Sequence, residues 1–192
     1  MESFITWIPS LLLGIALSAG SGFRIFVPLL VSNLAAKFGL VSVAENFQWM
    51  TANTTTAVLL VATVVEIASY YITYIDNLLD TLALPASVIA GTLLTTQFLR
   101  IDDPMLQWGL GLLAGGGVAG TVQAGTSLLR LGSTKFTGGL GNGIFSTVEN
   151  ILSIGISLLS FWLPIFMGVL ALLFMFWVLR KLFSKKKIIT LQ

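Results

Sequence analysis

The sequence contains no cysteine and no histidine, and only 9% of its 192 residues are charged. It therefore cannot form disulfides, and it lacks the thiolate and imidazole groups of most zinc, haem and iron–sulfur sites and of histidine acid–base catalysis. We expect no cofactor. A soluble domain usually carries about 25% charged residues, whereas 56% of this chain is hydrophobic. This composition predicts an all-α, polytopic membrane protein.

The few charges are unevenly placed along the chain. Five of the ten basic residues lie between Arg180 and Lys187, whereas the N-terminus lacks the basic region of a cleaved signal peptide. Lysine and arginine clustered beside a span favour the cytoplasmic side and anionic headgroups rather than nucleic acid. We predict a single transmembrane domain over residues 1–183, a basic cytoplasmic tail over residues 184–192, and no nucleic-acid partner.

Two apolar runs are too long for one crossing. Residues 3–36 hold a single charge, Arg24, and these 34 residues exceed the roughly 20 that cross a bilayer. The run must break, and Gly20-Ser21-Gly22 is its weakest point. The same arithmetic on residues 151–179 predicts a kink or turn at Trp162-Leu163-Pro164. Three further apolar segments lie at residues 55–74, 85–99 and 105–131. We therefore expect about six to seven segments with broken or re-entrant helices, or five if both long runs are single bent passes.

The basic tail also orients the predicted bundle. If residues 144–160 and 164–183 form a hairpin, the loop that holds Lys135 lies on the cytoplasmic side with the tail. The turn at residues 100–103 then faces outward, with a net negative charge.

Two parts of the chain are faintly alike. Residues 16–40 and 114–140 each contain a glycine-rich segment followed by a Lys-Phe pair, Lys37-Phe38 and Lys135-Phe136. This pattern suggests an inverted repeat, which in membrane folds often surrounds a transport site. The alternative is that small residues recur in all closely packed transmembrane helices. Glycine pairs four residues apart, at 111 and 115 and at 116 and 120, predict such close helix contacts.

Ionisable residues within apolar segments need a partner or a function, because burying each in a bilayer costs about 2.5–3.5 kcal/mol. Glu66 lies near the middle of its segment, and Arg24 stands beside the predicted break. In one interpretation Arg24 forms an ion pair with Glu66 or Asp80, and this pair holds two helices together. The other makes Glu66 a proton- or cation-binding carboxylate. Asp76 and Asp80, one helical turn apart beside three tyrosines, predict a polar edge at headgroup level.

The stretch of residues 131–143 is a second candidate site. Its glycines permit positive φ angles and close backbone approach, and consecutive amides in such loops form anion-binding nests. The candidate ligands of a small anion or lipid phosphate are Lys135, Gly138, Gly139 and Asn142, with Glu149 following in the next segment. The order of residues is not that of a Walker loop. The alternative is an ordinary glycine-rich turn between helices.

Several of these motifs together resemble one family. They are Ser21-Gly22-Phe23-Arg24-Ile25-Phe26-Val27-Pro28, Glu66, Asp76-Asn77-Leu78-Leu79-Asp80, Gly115-Gly116-Gly117, and the Ser133-Thr134 to Asn142 stretch. The chain resembles, over residues 11–183, an uncharacterised bacterial multi-pass membrane family catalogued as a domain of unknown function. It departs from that family at Tyr70-Tyr71, Thr73, Lys135-Phe136 and Gly143. The resemblance implies a bacterial inner membrane location but no established activity.

Three functions are compatible with the sequence. The first is a transporter or channel-like protein with a site near the bilayer midplane, for a small anion or anionic lipid headgroup coupled to protons or cations. Its candidate residues are Arg24, Glu66, Asp76, Asp80, Lys135, Gly138, Gly139, Asn142 and Glu149. The second is a structural or assembly protein whose buried charges only join helices. The third, less favoured, is an intramembrane enzyme in which Asp76 and Asp80 hold Mg²⁺ against a lipid phosphate. We assign no catalytic residue, expect membrane lipids as partners, and leave any homo-oligomer open.

Overall fold

The computed structural model describes the backbone of residues 4–137 and 142–189, with side chains except those of residues 4–6, 73–78, 80, 134, 136–137 and 182–189. The described residues form helices and connections without a strand, which confirms the all-α class. The α-helices are α1 Phe4–Ser21, α2 Phe26–Lys37, α3 Asn53–Ser69, α4 Thr73–Thr96, α5 Pro104–Leu110, α6 Gly117–Thr137, α7 Asn142–Trp162 and α8 Pro164–Ile189. A 3₁₀ helix, Glu45–Thr51, precedes α3, and a π-helical segment, Gly111–Gly116, joins α5 to α6.

Within the described residues, three helices are long and apolar enough to cross a membrane, namely Pro104–Ser133, Asn142–Trp162 and Pro164–Lys181. A fourth span is present if the 3₁₀ helix and α3, which meet at a 63° bend, count as one. Shorter apolar helices are Trp7–Ser21, Phe26–Lys37 and Thr81–Thr96. These spans indicate a membrane protein. The expected six to seven segments are not confirmed, because several apolar stretches fold as helices shorter than a full crossing.

Helices α1 and α2 form a hairpin. The chain breaks after Ser21, as the length of the apolar run predicted, and α2 begins at Phe26. Gly14 of α1 lies against Thr95 of α4, and Ser32 of α2 accepts a hydrogen bond of 2.9 Å from Gln97, which follows α4. Since both arms reach the same end of α4, α2 folds back along α1. Residues 22–25 are the tip of this hairpin.

The other helices run between the tip end and the base end of the hairpin. Helix α3 starts beside Lys37, whose Nζ lies 3.4 Å from Thr56 Oγ1, and α4 returns antiparallel to α1. Helix α5 starts where α4 finishes, with Gln107 Nε2 donating to the Leu99 carbonyl at 2.7 Å. The continuous α5–π–α6 helix leads back to the tip end, and α7 leads away from it.

Helix α8 completes the bundle. Gly168 lies against Leu12 in the middle of α1, and Met175 lies nearest to Gly117 at the start of α6. Therefore α8 runs toward the tip end, where α6 also finishes. The C-terminal end of α8 and the exposed Lys135 share one end of the bundle, while the turn at residues 100–103 lies at the other. This agrees with the predicted hairpin of the last two helices, and the side of the membrane stays a prediction.

Helix α1 is the centre of the bundle. Its residues Ala16 and Leu17 are fully buried, and the helix packs on α4, α7 and α8. One apolar core lies between α1, α2, α4 and the 3₁₀ helix, and another between α1, α6 and α8. The hairpin is thus enclosed by helices rather than laid along the outside.

The predicted glycine contacts are present between α4 and the α5–π–α6 helix. A Cβ at Gly116 would lie 2.7 Å from Thr92 Oγ1, and one at Gly120 would lie 2.8 Å from Val88 Cγ2. The two glycine-rich segments compared in the sequence are nevertheless different in structure. The first ends a helix at the hairpin tip, whereas Gly115-Gly116-Gly117 continues a helix through a π turn. Their correspondence therefore gives the inverted repeat no support, and the repeat stays a prediction.

Candidate functional site at the hairpin tip

The hairpin tip places a guanidinium inside the bundle. Arg24 is 1% exposed. Its Nη2 lies 3.2 Å from Glu149 Oε2 and donates to the Ser146 carbonyl at 3.1 Å, while its Nε donates to Asn150 Oδ1 at 2.5 Å. All three partners belong to the first half of α7. The broken backbone between α1 and α2 therefore brings a permanent positive charge against an adjacent helix.

Glu149 binds a second arginine as well. Arg130 of α6 donates from Nε to Oε1 at 3.1 Å and from Nη2 to Oε2 at 2.7 Å. Its Nη2 also donates to Ser146 Oγ at 2.8 Å. This side-on, two-bond geometry is the strong form of an arginine–carboxylate pair. Glu149 thus joins the hairpin tip to α6 and α7 through one buried carboxylate.

An aromatic ring lies between the arginines and the end of α3. The ring centroid of Tyr70 is 3.8 Å from Arg24 Cζ and 4.6 Å from Arg130 Cζ. Tyr70 follows directly after α3 and is 6% exposed. Cation–π attraction strengthens when the partners are desolvated. The ring therefore stabilises both guanidinium groups where water is largely excluded.

Glu66 binds the backbone of the hairpin rather than an arginine. Its Oε1 accepts the amide of Ile25 at 2.7 Å and its Oε2 accepts the amide of Phe26 at 3.0 Å. These amides open α2, and the N-cap residue Ile25 has no polar side chain to cap them. A carboxylate also complements the positive end of the helix dipole. Glu66 thus caps α2 from α3.

These contacts correct the predicted pairing of Arg24 with Glu66. The ion pair described for Arg24 is with Glu149, while Glu66 takes the unsatisfied amides one and two residues further along. The break explains this outcome, because starting a new helix inside the bundle creates amide donors that need an acceptor. Asp80, the other predicted partner of Arg24, has its side chain outside the described residues.

The polar cluster lies off the centre of the helices. Glu149 is seven residues from the start of the 21-residue α7, which is about 10 Å at 1.5 Å per residue. Arg130 is likewise seven residues from the end of α6. The cluster is therefore nearer the tip end of the bundle than a site at the midplane of the helices would be.

The structure describes only part of the remaining predicted site residues. Asp76 is in the first turn of α4, but its side chain is outside the described residues, as are Gly138 and Gly139 altogether. Lys135 is exposed near the end of α6, and Asn142 is buried at the start of α7. The predicted anion loop therefore stays a prediction.

Four residues that form the cluster are not among the predicted site residues: Tyr70, Arg130, Ser146 and Asn150. A signal was available for α7. Its buried residues Ser146, Glu149, Ser153, Ser157 and Ser160 recur every three or four positions, which marks a polar helix face turned inward. Ser153 Oγ on that face donates to the Gly20 carbonyl at 3.0 Å. Among the residues whose side chains are described, no group of three metal-binding side chains is present.

A lateral cleft adjoins the cluster. It lies between α3 and α4, has a volume of about 680 Å³, and is lined mainly by apolar side chains. Glu66, Ser69 and Tyr70 line it where it meets the cluster.

The fold and the site define an all-helical membrane protein with a central helical hairpin and a buried charge cluster at its tip. The chain belongs to the family described as a domain of unknown function, DUF4126, whose sequence model matches residues 11–183. This confirms the resemblance to an uncharacterised family. No curated protein and no solved structure matches the chain.

Proposed function

We propose that the protein is a membrane transport protein in which the hairpin tip is the gated site. The observation that carries this proposal is the interruption between α1 and α2, which leaves a helix start and Arg24 inside the bundle. Irregular backbone at membrane depth is tolerated only where protein buries it or where it lines a cavity. Interrupted helices of this kind form the substrate and ion sites of many transporters.

The contacts at the tip restrict which class of solute can bind there. The two places suited to an anion, the paired arginines and the amides of α2, already bind carboxylates of the protein, Glu149 and Glu66. An anionic guest has to displace one of them. A proton or a cation acts on these carboxylates directly, and neutralising Glu66 loosens its hold on the hairpin. The geometry therefore favours a proton or a cation, rather than an anion, as the species that binds at the tip.

The experiment is a flux assay on proteoliposomes with purified protein. We expect proton or alkali-cation flux above that of protein-free vesicles, at least about tenfold lower in Glu66→Gln, since the reversible charge is lost. The matched control is Glu45→Gln, because Glu45 is an exposed acid at the base end. Equal flux of wild type, Glu66→Gln and Arg24→Ala for every tested proton, cation and anion would exclude the transport assignment.

A structural function is the second candidate, and a specific observation favours it. Glu149 pairs with both Arg24 and Arg130, and all three residues are at most 6% exposed. If they serve only to join helices, replacing all three by leucine restores the stability lost in Glu149→Leu alone. In that case the triple variant and the wild type show no difference in flux. The enzymatic function gains no support, since the side chains of Asp76 and Asp80 lie outside the described residues.

A further inference from the structure

The cleft between α3 and α4 has the dimensions of a ligand site. Its volume of about 680 Å³ falls within the range of about 300–1,000 Å³ typical of small-molecule pockets. It extends along α3 from Ala57 to Ser69, which is about 18 Å at 1.5 Å per residue. That length is close to one leaflet of a hydrocarbon core about 30 Å thick.

The walls of the cleft are continuous with the outer surface of the bundle. Val58, Val61 and Val65 of α3 are 57–66% exposed, and Leu82 of α4 is 58% exposed. In a membrane these side chains face lipid, so an amphiphile dissolved in the bilayer enters the cleft sideways without crossing water. The apolar walls bury the alkyl or aromatic part of an amphiphile, whereas its charged head group needs a polar group at one end of the cleft.

Glu66 supplies that polar end. Among the described residues that line the cleft, it is the one with a formal charge. Its two oxygens offer about four lone-pair positions, of which the Ile25 and Phe26 amides use two. The remaining acceptor capacity suits the N–H groups of an ammonium. A carboxylate or phosphate head brings a like charge against Glu66, and the nearby Arg24 is already paired with Glu149.

We propose that the α3–α4 cleft binds a lipophilic amine, with its apolar body between α3 and α4 and its protonated amino group against Glu66. This rests on the proposed function, because Glu66 also holds the hairpin tip, and it names the class of guest for that site. The guest and the α2 amides then share the two oxygens of Glu66. Binding at the cleft is thereby linked to the position of the tip.

Equilibrium binding to the purified full-length chain in nanodiscs tests the proposal, with dodecylamine, dodecanol and dodecanoate as probes that share one chain length. We expect saturable binding of one amine per chain, about tenfold or more tighter than the alcohol and the acid, because hydrogen bonds to charged groups are the stronger ones. Equal affinity for the three probes, or preference for dodecanoate, would overturn the recognition by Glu66.

Two variants locate the site. Ala62→Phe fills the cleft without altering Glu66 and is expected to weaken amine binding at least about tenfold. The matched control is Val64→Phe on the same helix, since Val64 is 60% exposed and is not among the described lining residues. Unchanged amine binding in Ala62→Phe would place the ligand elsewhere and overturn the proposal.

Glu66→Gln distinguishes recognition of the amino group from burial of the apolar chain. We expect this variant to bind amine and alcohol equally, and a retained preference for the amine counts against the proposal. Should Glu66→Gln fail to fold, Ala62→Phe decides alone. Failure of this proposal is distinct from failure of the transport assignment: binding without flux removes transport only, and flux without amine binding removes the lipophilic amine only.

Discussion

The two ends of the α1–α2 hairpin are held by different chemistry. At the tip, Glu149 binds two buried arginines and Glu66 binds two backbone amides. At the base, the buried contact is between neutral groups, Gln97 to Ser32 at 2.9 Å, and the charged side chains that bond there, Lys37 and Arg100, are exposed. A neutral hydrogen bond contributes about 0.5–1.5 kcal/mol net, whereas breaking a buried ion pair costs about 3–5 kcal/mol.

This difference suggests a division of roles. The buried Gln97–Ser32 hydrogen bond at the base joins two neutral side chains, so it does not depend on a charged group. The buried contacts at the tip are made by two carboxylates, Glu149 and Glu66, so under the proposed function a proton or a competing cation acts there. The proposed function therefore places the moving element at the tip, and substitutions at the two ends test this.

The largest expected effect is at Glu149. Replacing it with glutamine leaves Arg24 and Arg130 buried without their shared carboxylate, so we expect a loss of about 3–5 kcal/mol in the free energy of unfolding. Chemical unfolding in detergent, followed by tryptophan fluorescence, measures it. Glu45→Gln is the control and should stay within about 0.5 kcal/mol. A loss below about 1 kcal/mol at Glu149 would contradict the bridging role.

Glu66→Gln ranks next in expected effect. Glutamine keeps one acceptor oxygen but presents an NH₂ group to the second amide of α2, so one charge-assisted hydrogen bond is lost. We expect a destabilisation of about 1.5–3 kcal/mol. Amide hydrogen exchange gives the specific readout, with faster exchange at Ile25 and Phe26. Unchanged protection of both amides would show that Glu66 does not cap the helix.

Close packing of the tip gives a third test. A Cβ at Gly22 would lie 2.5 Å from Val122 Cβ and 2.7 Å from the Ala119 carbonyl oxygen, so Gly22→Ala pushes the tip away from α6 at a cost of about 1–3 kcal/mol. Gly132 of α6 has open space around its position. Gly132→Ala should therefore be neutral or stabilising by up to about 1 kcal/mol, and equal effects in both variants would exclude the close approach.

The smallest effect is expected at the base. Ser32→Ala removes the oxygen that accepts from Gln97, which still lies 3.4 Å from the Leu94 carbonyl. We expect a loss of about 0.5–1.5 kcal/mol in unfolding free energy and no change in flux or amine binding. A change in either activity would place function at the base as well as the tip.

Part of this architecture is predictable from local sequence. The 34-residue run with one charge requires a break, and the glycines around Ser21 locate it. Pro164 likewise begins a helix directly after the break at Leu163, because proline suits a first helical turn. The glycine spacing from 111 to 120 predicts a close helix contact, but not that α4 is the partner.

The pairing of charges and the number of spans are not predictable in this way. Arg24 and Glu149 are 125 residues apart in sequence, and only the fold decides whether Glu149 or Glu66 reaches the guanidinium. Length shows that residues 3–36 must break, but not whether the second arm continues across the membrane or returns. The fold-back of α2 depends on contacts such as Ser32 with Gln97, which are made with a distant part of the chain.

The most direct test of the hairpin uses the absence of cysteine in the chain. Single cysteines at Leu40, Asp102 and Lys135, all exposed, are labelled with a membrane-impermeant maleimide in sealed vesicles of both orientations. A hairpin predicts that Leu40→Cys and Asp102→Cys react from one side and Lys135→Cys from the other. Reaction of Leu40→Cys from the Lys135 side would show that α2 crosses the membrane, and would contradict the hairpin and the tip site built on it.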